Sequence, residues 1–189
     1  KLELVDNNYF VTELRQNQLN QAKNELESKE TKTLEEFKNG TVGAVCIDSI
    51  GNLASATSSG GKMNKKEGRV GDSAVIGAGT YANHETCCVS TTGDGEVFLR
   101  AVASYGIHSL IKYKKLSLKE ACSTLIFDTI EKKFHSEGGL ISISKEGDYE
   151  MIFNTDAMKR GTVDQDGLAY VYLFNEKDDL TPIEYHIKL

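Results

Sequence analysis

Asn39-Gly40-Thr41-Val42-Gly43-Ala44-Val45-Cys46-Ile47 is where the character of this chain changes. Before it, from Lys23 to Lys38, Lys, Glu, Asn, Thr and Ser dominate and apolar residues are few. That composition predicts a solvated linker, because Leu26, Leu34 and Phe37 are too sparse to form an apolar stripe. After Thr41, Val42–Ile47 is a short apolar run suited to a buried strand. A glycine that ends a linker, followed at once by a threonine and a strand, suits a chain that cuts itself. The hydroxyl would attack the preceding carbonyl, and Gly40 has no Cβ to resist the distorted backbone. Cleavage would free an α-amine, which titrates near ~7.7–8.0 and can serve as a general base. Three plainer readings fit the same residues. Asn39-Gly40 is a hairpin dipeptide, Asn39-Gly40-Thr41 is a glycosylation sequon, and Thr41 can simply begin a strand.

Working outward, a helix is expected from the N-cap Thr12 through Leu14, Leu19 and Ala22. Downstream, the turn Asp48–Asn52 leads into Leu53–Thr57, so the pair predicts a hairpin. Gly60 to Gly79 is glycine-rich and polar, hence loop, before a strand near Cys87–Thr92. One helix is expected from Glu96 to about Ile111. Another follows the capping box Ser117/Glu120 through Ala121, Cys122, Leu125, Ile126 and Ile130. Strands are expected at Leu140–Ser144, Tyr149–Phe153 and Leu168–Phe174, the first two joined by a tight Lys145–Asp148 turn. Strands grouped apart from helices predict an α+β fold with an antiparallel sheet covered by helices.

Composition sets the outer bounds. The 189 residues fit one domain. A net charge of -6 argues against nucleic acid and other polyphosphate partners. No apolar run approaches the ~20 residues of a membrane helix, and no signal peptide opens the chain. Cys46, Cys87, Cys88 and Cys122 are expected to be buried free thiols in a reducing, cytoplasmic compartment, since two of them are adjacent.

Two further segments carry chemistry. Gly68-Arg69-Val70-Gly71-Asp72 sets a cation and a carboxylate three residues apart in a glycine-flanked loop. Those charges match an α-amino acid, Arg69 to its carboxylate and Asp72 to its ammonium. A surface ion pair is the plainer alternative. Thr91-Thr92-Gly93-Asp94-Gly95-Glu96 joins a strand to a helix, and its glycine-bared N–H groups suit an oxyanion; an ordinary turn fits as well. Gly77-Ala78-Gly79-Thr80-Tyr81-Ala82 matches a dinucleotide fingerprint in letters, but the following Asn83-His84-Glu85 leads into a strand, so the context fails. His84, Cys87 and Cys88 offer metal ligands. Adjacent strand residues point to opposite faces, however, and no second ligand pair follows. No metal and no cofactor is expected. His108, His135 and His186 are isolated and expected on helix surfaces or strands.

Together these strings resemble the plant-type asparaginase and isoaspartyl peptidase family of N-terminal nucleophile threonine hydrolases. The matching strings are Gly40–Val45, Ala56-Thr57-Ser58-Ser59-Gly60-Gly61, Gly68–Ser73, Gly77–Ala82, Thr92–Glu96, Gly138-Gly139-Leu140-Ile141 and Phe153-Asn154-Thr155. The resemblance implies an αββα sandwich, cut between Gly40 and Thr41. Residues 1–40 would be the end of an α chain, 41–189 the β chain, in an (αβ)2 assembly. It implies Thr41 as nucleophile, Arg69 and Asp72 as the amino-acid clamp, Thr92 and Gly93 as oxyanion donors, and Gly95 as a further backbone contact. The implied substrates are L-asparagine or β-aspartyl dipeptides. Ser59 stands where the family usually has a threonine supporting the nucleophile's hydroxyl, which implies slower or looser activity. The family's α chain begins well before Lys1, so a complete sandwich needs more than these residues. Glycosylasparaginases resemble the chain at Gly93-Asp94-Gly95, though they cut after aspartate. An uncleaved binding scaffold is the alternative from another class.

Overall fold

The computed structural model describes residues 4–28, 40–174 and 183–186. The chain forms two compact units, one of residues 1–40 with 60–69, the other of residues 41–59 with 70–189.

In the first unit, a short 3-10 turn (Asn7–Phe10) is capped by Asp6, and α1 follows (Glu13–Ser28). Thr12 is its N-cap, its Oγ1 accepting from Arg15 N at 3.4 Å. The helix outruns the expected linker boundary: Lys23–Ser28 are helical, because Lys, Glu and Leu cost little in a helix whose first turns are already formed. The remainder of the expected linker lies outside the described residues.

The second unit is α+β. Its first sheet is the hairpin β1 (Thr41–Ile47) and β2 (Leu53–Ser59). Asp48 builds the turn, accepting from Ile50 N at 3.0 Å and Asn52 N at 2.8 Å. The second sheet is β3 (Thr80–Ala82), β4 (Cys87–Gly93), β5 (Gly138–Ser144) and β6 (Tyr149–Phe153), antiparallel in that order. β7 (Ala157–Val163), β8 (Leu168–Phe174) and β9 (Ile183–His186) form a third.

One face of β4 carries Cys87 and Val89 into a core with Phe98, Ile107, Ala121, Cys122, Ile126, Ile130 and Leu140. Those residues come from α2 (Gly95–Ala101), α3 (Ala103–Lys114), α4 (Leu118–Ser123) and its wider-wound continuation α5 (Thr124–Lys133), together with β5. The capping box is present as expected: Ser117 Oγ accepts from Glu120 N, and Glu120 accepts from Ser117 N.

The opposite face of β4 meets the hairpin through hydroxyls rather than apolar groups. Ser55 Oγ donates to Val89 O at 2.6 Å, and Thr57 Oγ1 lies 2.7 Å from Ser90 Oγ. Gly43 is required here, because a Cβ at that position would overlap Ser90 Oγ.

Four expectations need correction. β1 is not a buried strand: only alternate residues face β4, and Val42 on the outer face is 67% exposed. An apolar run cannot say how many of its faces are covered. Cys46 lies on that outer face and is exposed, while Cys87, Cys88 and Cys122 are buried, all four as free thiols. The single helix expected from Glu96 is broken at Val102, which adopts a left-handed conformation (φ 48, ψ 50), and it ends at Lys114. His108 is buried, not on a helix surface. Its Nδ1 lies 2.7 Å from Thr86 Oγ1, and Tyr81 and Tyr105 pack against the ring. β3, β7 and β9 were not foreseen, being very short or polar at alternate positions.

Candidate active site

The Asp48–Asn52 turn fixes the hairpin register, and that register pairs Thr41 with Ser59 at the open end. Their side chains share the face turned towards β4. Thr41 Oγ1 donates to Ser59 Oγ at 3.1 Å, and both residues are half-buried. A threonine hydroxyl held by a second hydroxyl in a partly desolvated place is fixed in its orientation.

Contacts between β1 and β4 give the direction in which the two strands run. Cys88 Sγ approaches Cys46 O at 3.7 Å, and Ser90 sits against Gly43. This progression runs along β1 towards its first residue, Thr41, and along β4 towards its last residues, Thr92 and Gly93. Thr92 and Gly93 close β4, paired with Gly139 and Gly138 of β5. Both are half-buried, hence open to a ligand.

Gly93 is held in a conformation that only glycine adopts without strain, with φ 149. A Cβ there would stand 2.6 Å from both Glu137 O and the Phe98 ring. Phe98 is fully buried in α2, so the same packing that anchors α2 demands the glycine. Gly95 is the first residue of α2 and is buried. The strand opposite is clamped by Asn154, which accepts from Gly138 N at 2.8 Å and donates to Ser136 O at 3.0 Å. This gives Asn154 of the Phe153-Asn154-Thr155 string a structural task that spacing did not reveal.

Asp72 begins a 3-10 turn (Asp72–Ala74) before β3 and is 5% exposed. A surface turn carboxylate is therefore the wrong description. Its Oδ2 accepts from Thr91 Oγ1 at 3.0 Å, and Thr91 is itself 1% exposed. Burial obliges such a carboxylate to find donors, and Thr91 was missed because its neighbour Thr92 carried the motif. Arg69 belongs to the other compact unit. It closes the loop of residues 60–69, its N–H bonded to Lys66 O at 3.2 Å and its guanidinium beside Gly61. Gly40 lies in that unit too, near Arg15 Nη2.

Cys87 and Cys88 occupy opposite faces of β4. Burial pushes the Cys87 thiol up to about 12 and raises Cys88 as well, so neither is a ready thiolate. His84 is engaged elsewhere, with its Nδ1 accepting from Leu53 N at 3.0 Å. Among the described residues, no helix is long and apolar enough to cross a membrane.

Comparison with known proteins finds a family and several relatives. The asparaginase family profile matches residues 1–173. An isoaspartyl peptidase of Escherichia coli is 43% identical over 182 residues, covering 94% of this chain and 56% of its own length. An isoaspartyl peptidase of Salmonella typhimurium is 49% identical over 123 residues, 65% of this chain and 39% of that one. An isoaspartyl peptidase/L-asparaginase of Xenopus laevis is 37% identical over 145 residues, 77% of this chain and 46% of that one. The chain thus spans about half the length of the curated relatives it matches. A threonine–serine hydroxyl pair at the open end of a hairpin accompanies a family match across most of the sequence: the chain belongs to the asparaginase family.

Proposed function

We propose that this chain is the part of an amidohydrolase that carries the nucleophile, cleaving L-asparagine, β-aspartyl dipeptides or both. The observation that carries the proposal is the 3.1 Å hydrogen bond from Thr41 Oγ1 to Ser59 Oγ at the open end of the hairpin. The relatives named isoaspartyl peptidase and L-asparaginase support the substrate class.

Maturation comes first. Thr41 Oγ1 attacks the Gly40 carbonyl carbon, the C–N bond breaks, and water hydrolyses the resulting ester. The products are a Gly40 carboxylate and a free Thr41 amine. In turnover, that amine takes the hydroxyl proton as Oγ1 attacks the substrate's side-chain carbonyl. Thr92 Oγ1 and Gly93 N–H donate to the oxyanion, and Ser59 fixes the rotamer of the attacking hydroxyl. Ammonia, or the amine of the second residue, leaves with the proton. Water then hydrolyses the aspartyl–threonine ester. Arg69 binds the substrate's α-carboxylate and Asp72 its α-ammonium, with Gly95 adding a backbone contact.

In this proposal residues 1–40 end an α chain and 41–189 form the β chain. A further layer of the αββα sandwich covers the outer face of the hairpin, within an (αβ)2 assembly in the cytoplasm. The exposed Val42, Ala44 and Cys46 on that face support such a cover. No metal or cofactor enters the chemistry. Assay of the full-length protein for ammonia from L-asparagine, and for free amino acid from β-aspartyl dipeptides, tests the proposal. Release in either assay, abolished by Thr41→Ala, is the expected result; release unaffected by Thr41→Ala would refute it.

A further inference from the structure

Thr91 Oγ1 has a single proton and two acceptors in reach, Asp72 Oδ2 at 3.0 Å and Ala78 O at 3.3 Å. Which of them takes it is decided by Ser104. The Ala78 carbonyl already receives Ser104 Oγ at 2.7 Å and Ser104 N at 3.2 Å, which fills its two lone pairs. The Thr91 proton is therefore left to the carboxylate, the stronger acceptor. Thr91 and Ser104 are at most 1% exposed, so bulk water does not compete.

Ser104 N is available for this because the helix breaks two residues earlier. In an unbroken helix its N–H would be spent on the carbonyl four residues back. Val102, left-handed at φ 48 although β-branched, restarts the helix, and the first N–H groups of α3 turn outward. Ser104 N reaches Ala78 O, and Tyr105 N reaches Gly77 O at 2.8 Å. Gly79 N closes the circuit on Asp72 O at 3.1 Å.

We propose that Thr91 is the positioning residue of Asp72, its proton committed by Ser104 so that the carboxylate stays aimed at the substrate's α-ammonium. This rests on the assignment of Asp72 to that ammonium, and the test separates the two. In the full-length enzyme, Thr91→Val removes the donor at nearly constant shape. It should raise KM for L-asparagine roughly tenfold, with a smaller fall in kcat. On succinamate, which has the same amide but no α-ammonium, kcat/KM should change by no more than about twofold. Thr91→Ser should restore the asparagine KM. If Thr91→Val does not accumulate folded, Thr91→Cys, a weak donor of similar size, should give an intermediate KM. Equal losses on both substrates, or a Thr91→Ser variant as weak as Thr91→Val, would overturn the positioning role. Asp72→Asn is the reference: if it fails to discriminate asparagine from succinamate, the ammonium assignment itself falls. If it discriminates and Thr91→Val does not, only the role of Thr91 falls.

Discussion

Thr41 and Ser59 face one another across the open end of the β1–β2 hairpin, with the Thr41 hydroxyl donating to that of Ser59 at 3.1 Å. The pairing follows from a turn some distance away. Asp48 accepts from two backbone N–H groups and so sets the register that brings residue 41 opposite residue 59. A slip of one residue would turn one of the two hydroxyls to the opposite face and part the pair.

Ser59→Ala should therefore slow turnover, by about tenfold to a hundredfold, since the attacking hydroxyl loses its partner and its preferred rotamer. Ser59→Thr keeps the hydroxyl and adds a methyl that restricts χ1, so it should match or exceed the parent rate. Steady-state rates of both variants check this, and equal rates for all three proteins would contradict it.

Gly93→Ala should be destabilising by about 3 kcal/mol, combining left-handed strain with a clash against Glu137 O and Phe98. Thermal unfolding measures the loss, and any protein that does fold should hydrolyse poorly because the Gly93 N–H is displaced. Unchanged stability would mean that Phe98 can move aside, contrary to its full burial.

His108 gives a pH dependence with a definite sign. Burial holds its imidazole below the ordinary value, nearby Lys112 lowers it further, and Glu85 opposes both. As pH falls, the unfolded chain takes up the proton first. The stability contributed by neutral His108 is thus fully present above the ordinary imidazole value of about 6.5 and lost as pH drops below it. Melting temperature should fall more steeply from about pH 7 to about pH 5 in the parent than in His108→Gln. Parallel pH profiles would show that His108 is not the group responsible.

Cys46 tests the proposed outer layer. In the isolated segment of 189 residues it is exposed and should alkylate readily, while the buried Cys87, Cys88 and Cys122 should not. In the full-length protein the covering layer should protect Cys46 as well. Equal labelling of Cys46 in both would leave the hairpin face uncovered.

What could be foreseen from sequence was local. The Ser117/Glu120 box and the Asp48–Asn52 turn depend on neighbours within a few residues, and both formed as expected. The break at Val102 did not announce itself, because its compensation comes from Ala78 and Gly77, more than twenty residues earlier in the chain. The exposed face of β1 was equally hidden, since Val42–Ile47 has the same composition whether one face or two are covered. At the candidate site, Thr41, Asp72, Thr92 and Gly93 stand out in the sequence as residue types in glycine-rich strings. Their supports were not. Thr91 binds Asp72 and Asn154 clamps Gly138 only because β3, β4, β5 and β6 lie side by side.

The bond between Gly40 and Thr41 carries the whole account, and intact mass spectrometry of the full-length protein after incubation reads it directly. Two polypeptides should appear, the second beginning at Thr41, whereas Thr41→Ala should remain a single chain. A parent protein that stays uncleaved, or is cut anywhere other than before Thr41, would contradict the assignment of Thr41 as an N-terminal nucleophile.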